Sequence, residues 1–174
     1  VGNDKIDIIG NNNAATFDSD AGTYIDASGN SNVNVSDLTL NSGDTLGVDS
    51  DTGIDAGSSD NVDIDSVKFD GFANTALNFG DTDDSIVTDA EFNGSDYDAI
   101  SVGTVNGDGI DIVDPDIDGV GDSTGISIGE ISSGASANLS SVNVEIGSSG
   151  TGLLATASTD TDDLTVDGFT IESD

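Results

Sequence analysis

Arginine, histidine, cysteine, methionine and tryptophan are absent from this 174-residue chain, and proline occurs once. Without cysteine, neither disulfides nor thiolate metal sites can form. Cations are nearly missing as well: 2 Lys+Arg stand against 35 Asp+Glu, a net charge of −33. Nucleic acid is therefore excluded as a partner, because almost nothing is available to neutralise phosphates. No apolar run approaches the ~20 residues of a membrane span, which excludes direct membrane insertion. A signal peptide is expected to be already removed or to lie outside a segment that starts at Val1.

The acid excess is itself a constraint. A small soluble domain usually carries a net charge of magnitude about 2–8. A charge of −33 opposes compaction unless salt or bound cations screen it. Three readings follow: the chain works in strong brine, binds calcium, or meets a basic partner. Disorder is the competing outcome. Leu, Ile, Val and Phe make up about a quarter of the residues, against the ~20% below which high charge usually means disorder. Composition leaves that open, and spacing decides it.

The stretch NVDIDSVKFDGF at 61–72 places Val62 and Ile64 two apart, then Val67 and Phe69 two apart, with a gap of three between the pairs. Two short strands joined by a kink would read this way. The phrase returns. Ser85, Val87, Ala90 and Phe92 follow at an offset of 23, then Ile110, Ile112, Pro115 and Ile117. Val33, Val35, Leu38 and Leu40 precede it; Ala137, Leu139, Val142 and Val144, then Leu164, Val166, Phe169 and Ile171, come after. A second phrase, G-I-x-I, recurs between the copies at Gly53–Ile54, Ala76–Leu77, Ala99–Ile100, Gly125–Ile126 and Gly152–Leu153. The period drifts between 23 and 29 residues.

A period of this size, built from β-branched pairs and Gly/Asn/Asp/Ser turns, marks a solenoid. The expected fold is all-β: a single-stranded parallel β-helix with three short strands per coil and about six to seven coils. Gly71, Gly94 and Gly119 share one column and suit a corner with positive φ. The whole chain, 1–174, reads as one β-helix domain and as a segment of a longer chain. Residues 1–29 form a degenerate first coil, 30–158 the regular coils and 159–174 a partial last coil.

The pattern N-V-x-I-x-x-V-x-F-x-G…G-I-x-I, from about Ile6 to Ile171, resembles the right-handed parallel β-helix repeat of the pectate-lyase-like superfamily. The acidic, lysine-poor composition resembles that of haloarchaeal surface and secreted proteins. The first resemblance implies right-handed coiling and one of several roles: polysaccharide lyase or glycoside hydrolase, viral or phage tail fibre or spike, surface adhesin, or structural repeat.

Candidate chemistry is sparse. Lyases of that superfamily use an Arg or Lys base beside acidic calcium ligands, and there is no Arg here. Lys68 projects outward with Glu91 and Asp116 as its ladder neighbours, and pairing with Glu91 accounts for it. The DTDD segments at 81–84 and 160–163 resemble the acidic part of polygalacturonase-type hydrolases, but the His and Arg–Lys parts are missing. Asp83 and Asp84 are the only catalytic candidates retained.

DPDIDGVGD at 114–122 matches the opening of a D-x-D-x-D-G calcium loop. Asp114, Asp116, Asp118 and Asp122 would be the ligands, and the closing bidentate acid is missing. The repeat explains the same letters differently: Pro115 and Ile117 point inward, Gly119 is the corner glycine, and the aspartates face water. No cofactor is required by the pattern, and calcium is the one candidate.

The sequons Asn34-Val-Ser36, Asn93-Gly-Ser95 and Asn138-Leu-Ser140 place Asn34, Asn93 and Asn138 at outward positions, as glycosylation would need. Phe72 and Tyr97 lie in loops after the Phe corner and could stack on a sugar ring or pack the loop onto the coil. The outward column Asn41, Asp70, Asn93, Asp118, Glu145, Glu172 alternates amides with carboxylates before it turns acidic.

The expected function is a non-catalytic structural and adhesive module, extracellular or on a cell surface, from a halophilic organism. The alternatives are a viral spike, on a virion surface, or a polysaccharide-degrading enzyme. Expected partners are carbohydrate, other surface proteins, or further copies associating end to end, side by side, or as a trimer in the spike reading.

Overall fold

The computed structural model describes residues 6–9, 22–42, 52–72, 74–94, 98–156 and 163–173. Among them there is no helix, and every strand pairing is parallel. The chain begins with β1 (Ile6–Ile9). The first coil with three described strands holds β2 (Thr23–Asp26), β3 (Ser31–Ser36) and β4 (Thr39–Asn41). The next holds β5 (Thr52–Asp55), β6 (Ser59–Asp65) and β7 (Lys68–Asp70). In β8 (Thr75–Thr88) two strands run together through the corner, followed by β9 (Glu91–Asn93). The same fusion occurs in β10 (Ile100–Val113), followed by β11 (Asp116–Val120). Then come β12 (Thr124–Ile131), β13 (Ser136–Ser140), β14 (Asn143–Ile146), and finally β15 (Thr151–Ala155), β16 (Asp163–Asp167) and β17 (Thr170–Ser173).

These strands stack into a parallel β-solenoid with three faces. Stepping along the first face from Ile25 to Ile54, Leu77, Ile100, Ile126 and Leu153 gives about five turns, slightly fewer than the six to seven expected. The ends account for the difference. Below β2–β4 only β1 is described, and the rung β15–β17 starts no further step.

Registers follow the sequence phrases. The second face stacks Ile8, Val35, Ile64, Val87, Ile112, Leu139 and Val166. The third stacks Leu40, Phe69, Phe92, Ile117, Val144 and Ile171. The Phe69 and Phe92 rings lie parallel with centroids 4.8 Å apart, which is the rung spacing itself. The inward ladders form one continuous core, and the largest side chains in it are almost fully buried.

The gap of three inside the repeated phrase is a single-residue corner. Asp37, Ser66, Asp89, Asp114 and Ser141 all sit there with φ of 50–54°, and Gly168 closes the column. Their amides donate across the rungs, as from Ser66 to Thr88 and from Asp114 to Ser140. Aspartate tolerates the left-handed region better than most residues, because its short polar side chain can bond locally. The glycine corner behaves as expected: Gly71, Gly94 and Gly119 have φ of 75°, 64° and 69°.

In a second glycine column Gly80, Gly103 and Gly129 have a different cause. A Cβ on Gly103 would lie 2.4 Å from the Gly80 carbonyl oxygen, and one on Gly129 equally close to that of Gly103. Backbone rests on backbone at this corner.

Candidate functional site

Most of the described candidate residues lie on the outer sides of the second and third faces, where strand alternation fixes the direction of each side chain. On the third face, β11 carries the aspartate-rich segment. Pro115 and Ile117 are buried and Gly119 takes the corner. Asp116 lies between Glu91 and Asn143, with Asn143 Nδ2 donating to its Oδ1 at 3.0 Å. Asp114 is the left-handed corner residue, and Asp118 pairs with Asn93 on the neighbouring strand. Asp122 is exposed beyond β11. These four aspartates are thus strung along an extended rung rather than coiled around a centre. Among the described residues no group of three or more His, Cys, Asp or Glu side chains converges as metal ligands would.

Electrostatics on this face centre on Lys68. Its Nζ donates to Glu91 Oε1 at 2.7 Å, the cross-strand pairing expected from the ladder. Asn93 Nδ2 donates to the same oxygen at 3.0 Å. Glu91 is accordingly held below the ordinary glutamate range, first by Lys68 and then by Asn93. Lys68 is pushed up, chiefly by that hydrogen bond and further by the surrounding acids. Asp118 is pushed up by burial and then by Asp116, Glu91 and Glu172. The column idea of amides alternating with carboxylates holds in part. Asp70, Asn93 and Asp118 are neighbours, but Asn93 Nδ2 donates along its own strand to Glu91.

Amide-to-carboxylate bridging between rungs is strong elsewhere. Asn78 Nδ2 donates to Asp55 Oδ1 at 2.9 Å, and Asn138 Nδ2 to Asp111 Oδ1 at 2.8 Å. Asn61 bridges to Asn32 at 2.7 Å. Such bridges let polar columns stack at rung spacing without meeting like charge to like charge.

Asp83 and Asp84 occupy the middle of β8. Asp84 turns outward at φ 51°. Asp83 Oδ1 accepts the Asp108 amide at 2.7 Å, and its carboxylate fills the space a Cβ would need at Gly107. Here β10 slips register between Asn106 and Ile110, taking up the residues that lengthen this coil. The Asp83 carboxylate therefore fastens a bulge.

Of the sequons, Asn34 and Asn138 share one outward column, through Asp63, Ile86 and Asp111. Asn34 Oδ1 is buried without a hydrogen-bond partner, and Ser36 of the same sequon is buried. Asn138 stands more open and is engaged with Asp111. Asn93 faces outward on β9; its sequon partner Ser95 lies outside the described residues, as does Tyr97.

Of the two roles expected of Phe72, the structure shows the packing one and leaves no ring face for a sugar. The ring is 1% exposed, edge-on to Tyr24 at 5.1 Å and to Phe69 at 6.1 Å. An aromatic ring just past a corner gains more by covering the core than by facing water.

Sequence reasoning did not single out the hydroxyl cluster inside the coil. Thr82 Oγ1 donates to Ser85 Oγ at 2.7 Å, which also accepts the Val62 amide, while Ser59 Oγ donates to the Ala27 carbonyl. Ser85 in an otherwise apolar column was the available signal. No family model, curated protein or solved structure matches the chain.

Proposed function

We propose that this chain is a non-catalytic structural and adhesive module of an extracellular or cell-surface protein from a halophilic organism. One observation carries the reading: polar side chains on the outer faces are spent on joining one rung to the next. Even Asp83, placed where a catalytic carboxylate was sought, holds a backbone amide. A surface organised in this way stiffens a rod. The resemblance to pectate-lyase-like repeats supports a coil that displays loops, and the acid excess supports a hydrated surface kept soluble in brine. Asn34, Asn93 and Asn138 are the candidate glycan acceptors, and a glycan on Asn93 or Asn138 would replace its Nδ2 bond to Glu91 or Asp111. The rod requires no cofactor. Calcium, if taken up, would bridge acids on adjacent rungs of the third face. Carbohydrate and other surface proteins are the partners such a rod would meet.

The purified chain, incubated with acidic and neutral polysaccharides and assayed for new reducing ends and unsaturated products, should give none. Product formation that is lost on Asp83→Asn or Asp84→Asn would overturn the reading in favour of an enzyme. A stable trimer in sedimentation would replace it with a virion spike.

A further inference from the structure

The chain holds two Asn-Gly pairs, Asn93-Gly94 and Asn106-Gly107. At such a pair the backbone can attack its own side chain, because glycine has no Cβ to shield its nitrogen. The glycine nitrogen gives up its proton and adds to the asparagine Cγ. The side-chain nitrogen takes up a proton and leaves as ammonia, and a five-membered succinimide ring remains. Water then opens the ring at one carbonyl or the other, leaving aspartate or isoaspartate. The sequence needs only water, with no oxidant, reductant or cofactor. In a folded chain its rate depends on how free the glycine nitrogen is and how strongly Cγ is polarised.

The fold treats the two pairs oppositely. Asn93 has register partners on both sides, Asp70 and Asp118. The Gly94 amide donates to the Asp118 carbonyl at 3.0 Å, and Asn93 Nδ2 donates to Glu91 Oε1 at 3.0 Å. There the nucleophile is occupied and the leaving group is held. Asn106 is the last residue in register with β8, opposite Asp83, before β10 slips. Gly107 lies inside the slip, at φ 50° and open to water, with no register partner among the described residues. From the next coil Ser132 Oγ donates to Asn106 Oδ1 at 2.8 Å. That bond draws electrons from Cγ and meets the negative charge that gathers on Oδ1 as the nitrogen adds. Asp83 acts as a positioning residue: its carboxylate holds the Asp108 amide at 2.7 Å and so fixes the bulge that keeps Gly107 out of the ladder.

We propose that Asn106 is a self-modification site, at which the Gly107 nitrogen displaces ammonia with Ser132 as the oxyanion donor, while Asn93 in the same chain is protected. The product changes the surface. Asp60 and Asp83 are register partners in the column that Asn106 continues, so conversion sets a third carboxylate beside two. The isoaspartyl form also lengthens the backbone where the ladder already slips, which spares the paired residues on either side. This goes beyond the rod reading and stands whether or not the chain is a surface module.

The test ages the full folded chain at mildly alkaline pH and follows both sites by peptide mass spectrometry, with isoaspartate identified by fragmentation. Asn106 should convert at least about tenfold faster than Asn93. The same chain unfolded in urea at the same pH should lose that selectivity, since both pairs are then the same dipeptide in water. Ser132→Ala should slow Asn106 by about tenfold or more and leave Asn93 unchanged, and Ser132→Thr, which keeps the hydroxyl, should restore the rate. Circular dichroism checks that each variant is folded; should Ser132→Ala not fold, the folded and unfolded wild-type chains decide. Equal rates at the two sites in the folded chain, or a selectivity that survives urea, would overturn the proposal. So would a folded Ser132→Ala that converts Asn106 at the wild-type rate.

Discussion

Gly103→Ala isolates the close stacking of coil on coil. The added methyl carbon would stand 2.4 Å from the Gly80 carbonyl oxygen, where ordinary contact begins near 3.4 Å. The obstacle is backbone, so no side chain can swing aside. The two rungs must part by about 1 Å from a spacing of ~4.8 Å. Parting strains the ladder on both sides, at Val102 with Phe79 and at Thr104 with Asp81. Two weakened hydrogen bonds at roughly 1 kcal/mol each, within the 1–3 kcal/mol usual for overpacking, give a loss of about 2–3 kcal/mol. With a urea m-value of about 2 kcal/mol/M, the midpoint should fall by roughly 1–1.5 M. The assay is urea unfolding followed by circular dichroism at one fixed high salt concentration. Ser101→Ala, an outward change in the same strand, is the control and should stay within about 0.5 kcal/mol. A Gly103→Ala shift no larger than the control's would refute the reasoning.

Lys68→Met removes a half-exposed ion pair. It should cost about 0.5–1 kcal/mol at the lowest salt concentration that folds the chain and almost nothing in several molar KCl, read by thermal melting. A cost independent of salt would contradict the electrostatic account. Asp114→Val forces a β-branched residue into φ 50° and should cost about 1–2 kcal/mol by urea unfolding, whereas Asp116→Val on the strand should cost less than about 1 kcal/mol. Equal, calcium-dependent losses would instead make both metal ligands. Acid should first stabilise the fold. Burial raises Asp63, Asp98 and Asp118 above 3.8, so stability rises as pH falls through their folded-state values and the gain is complete below 3.8. Glu91 is depressed below 4.5, so its contribution is present above 4.5 and is lost as pH falls through its lower folded-state value. Melting at one fixed salt concentration that folds the chain should therefore peak in mild acid, and a steady decline from pH 7 downward would contradict these assignments.

The coil was legible because inward residues recur: each V-x-I and V-x-F pair found its partner one period away. Glycine columns were visible, but only one cause could be inferred. Gly94 announces a positive φ, while the need for Gly103 arises from a neighbouring backbone that no local pattern reveals. Corner residues such as Asp89 and Ser66 hid among many polar letters, since Asp and Ser can hold a left-handed corner without looking unusual. Lys68 with Glu91 could be read because both sit at fixed ladder positions in a chain almost free of cations. The role of Asp83 could not, because it depends on where a register slip in the next coil places the Asp108 amide. For Phe72 packing was one of two readings, and the choice rests on Tyr24 of the preceding coil and Phe69 of its own.

The most direct measurement is circular dichroism of the purified chain through a potassium chloride titration, repeated with calcium and with a chelator. An acidic rod held by screened ladders should gain its β signal only as salt approaches the molar range, with or without calcium. Folding at low salt on millimolar calcium, reversed by the chelator, would contradict that account and make the aspartate columns metal sites.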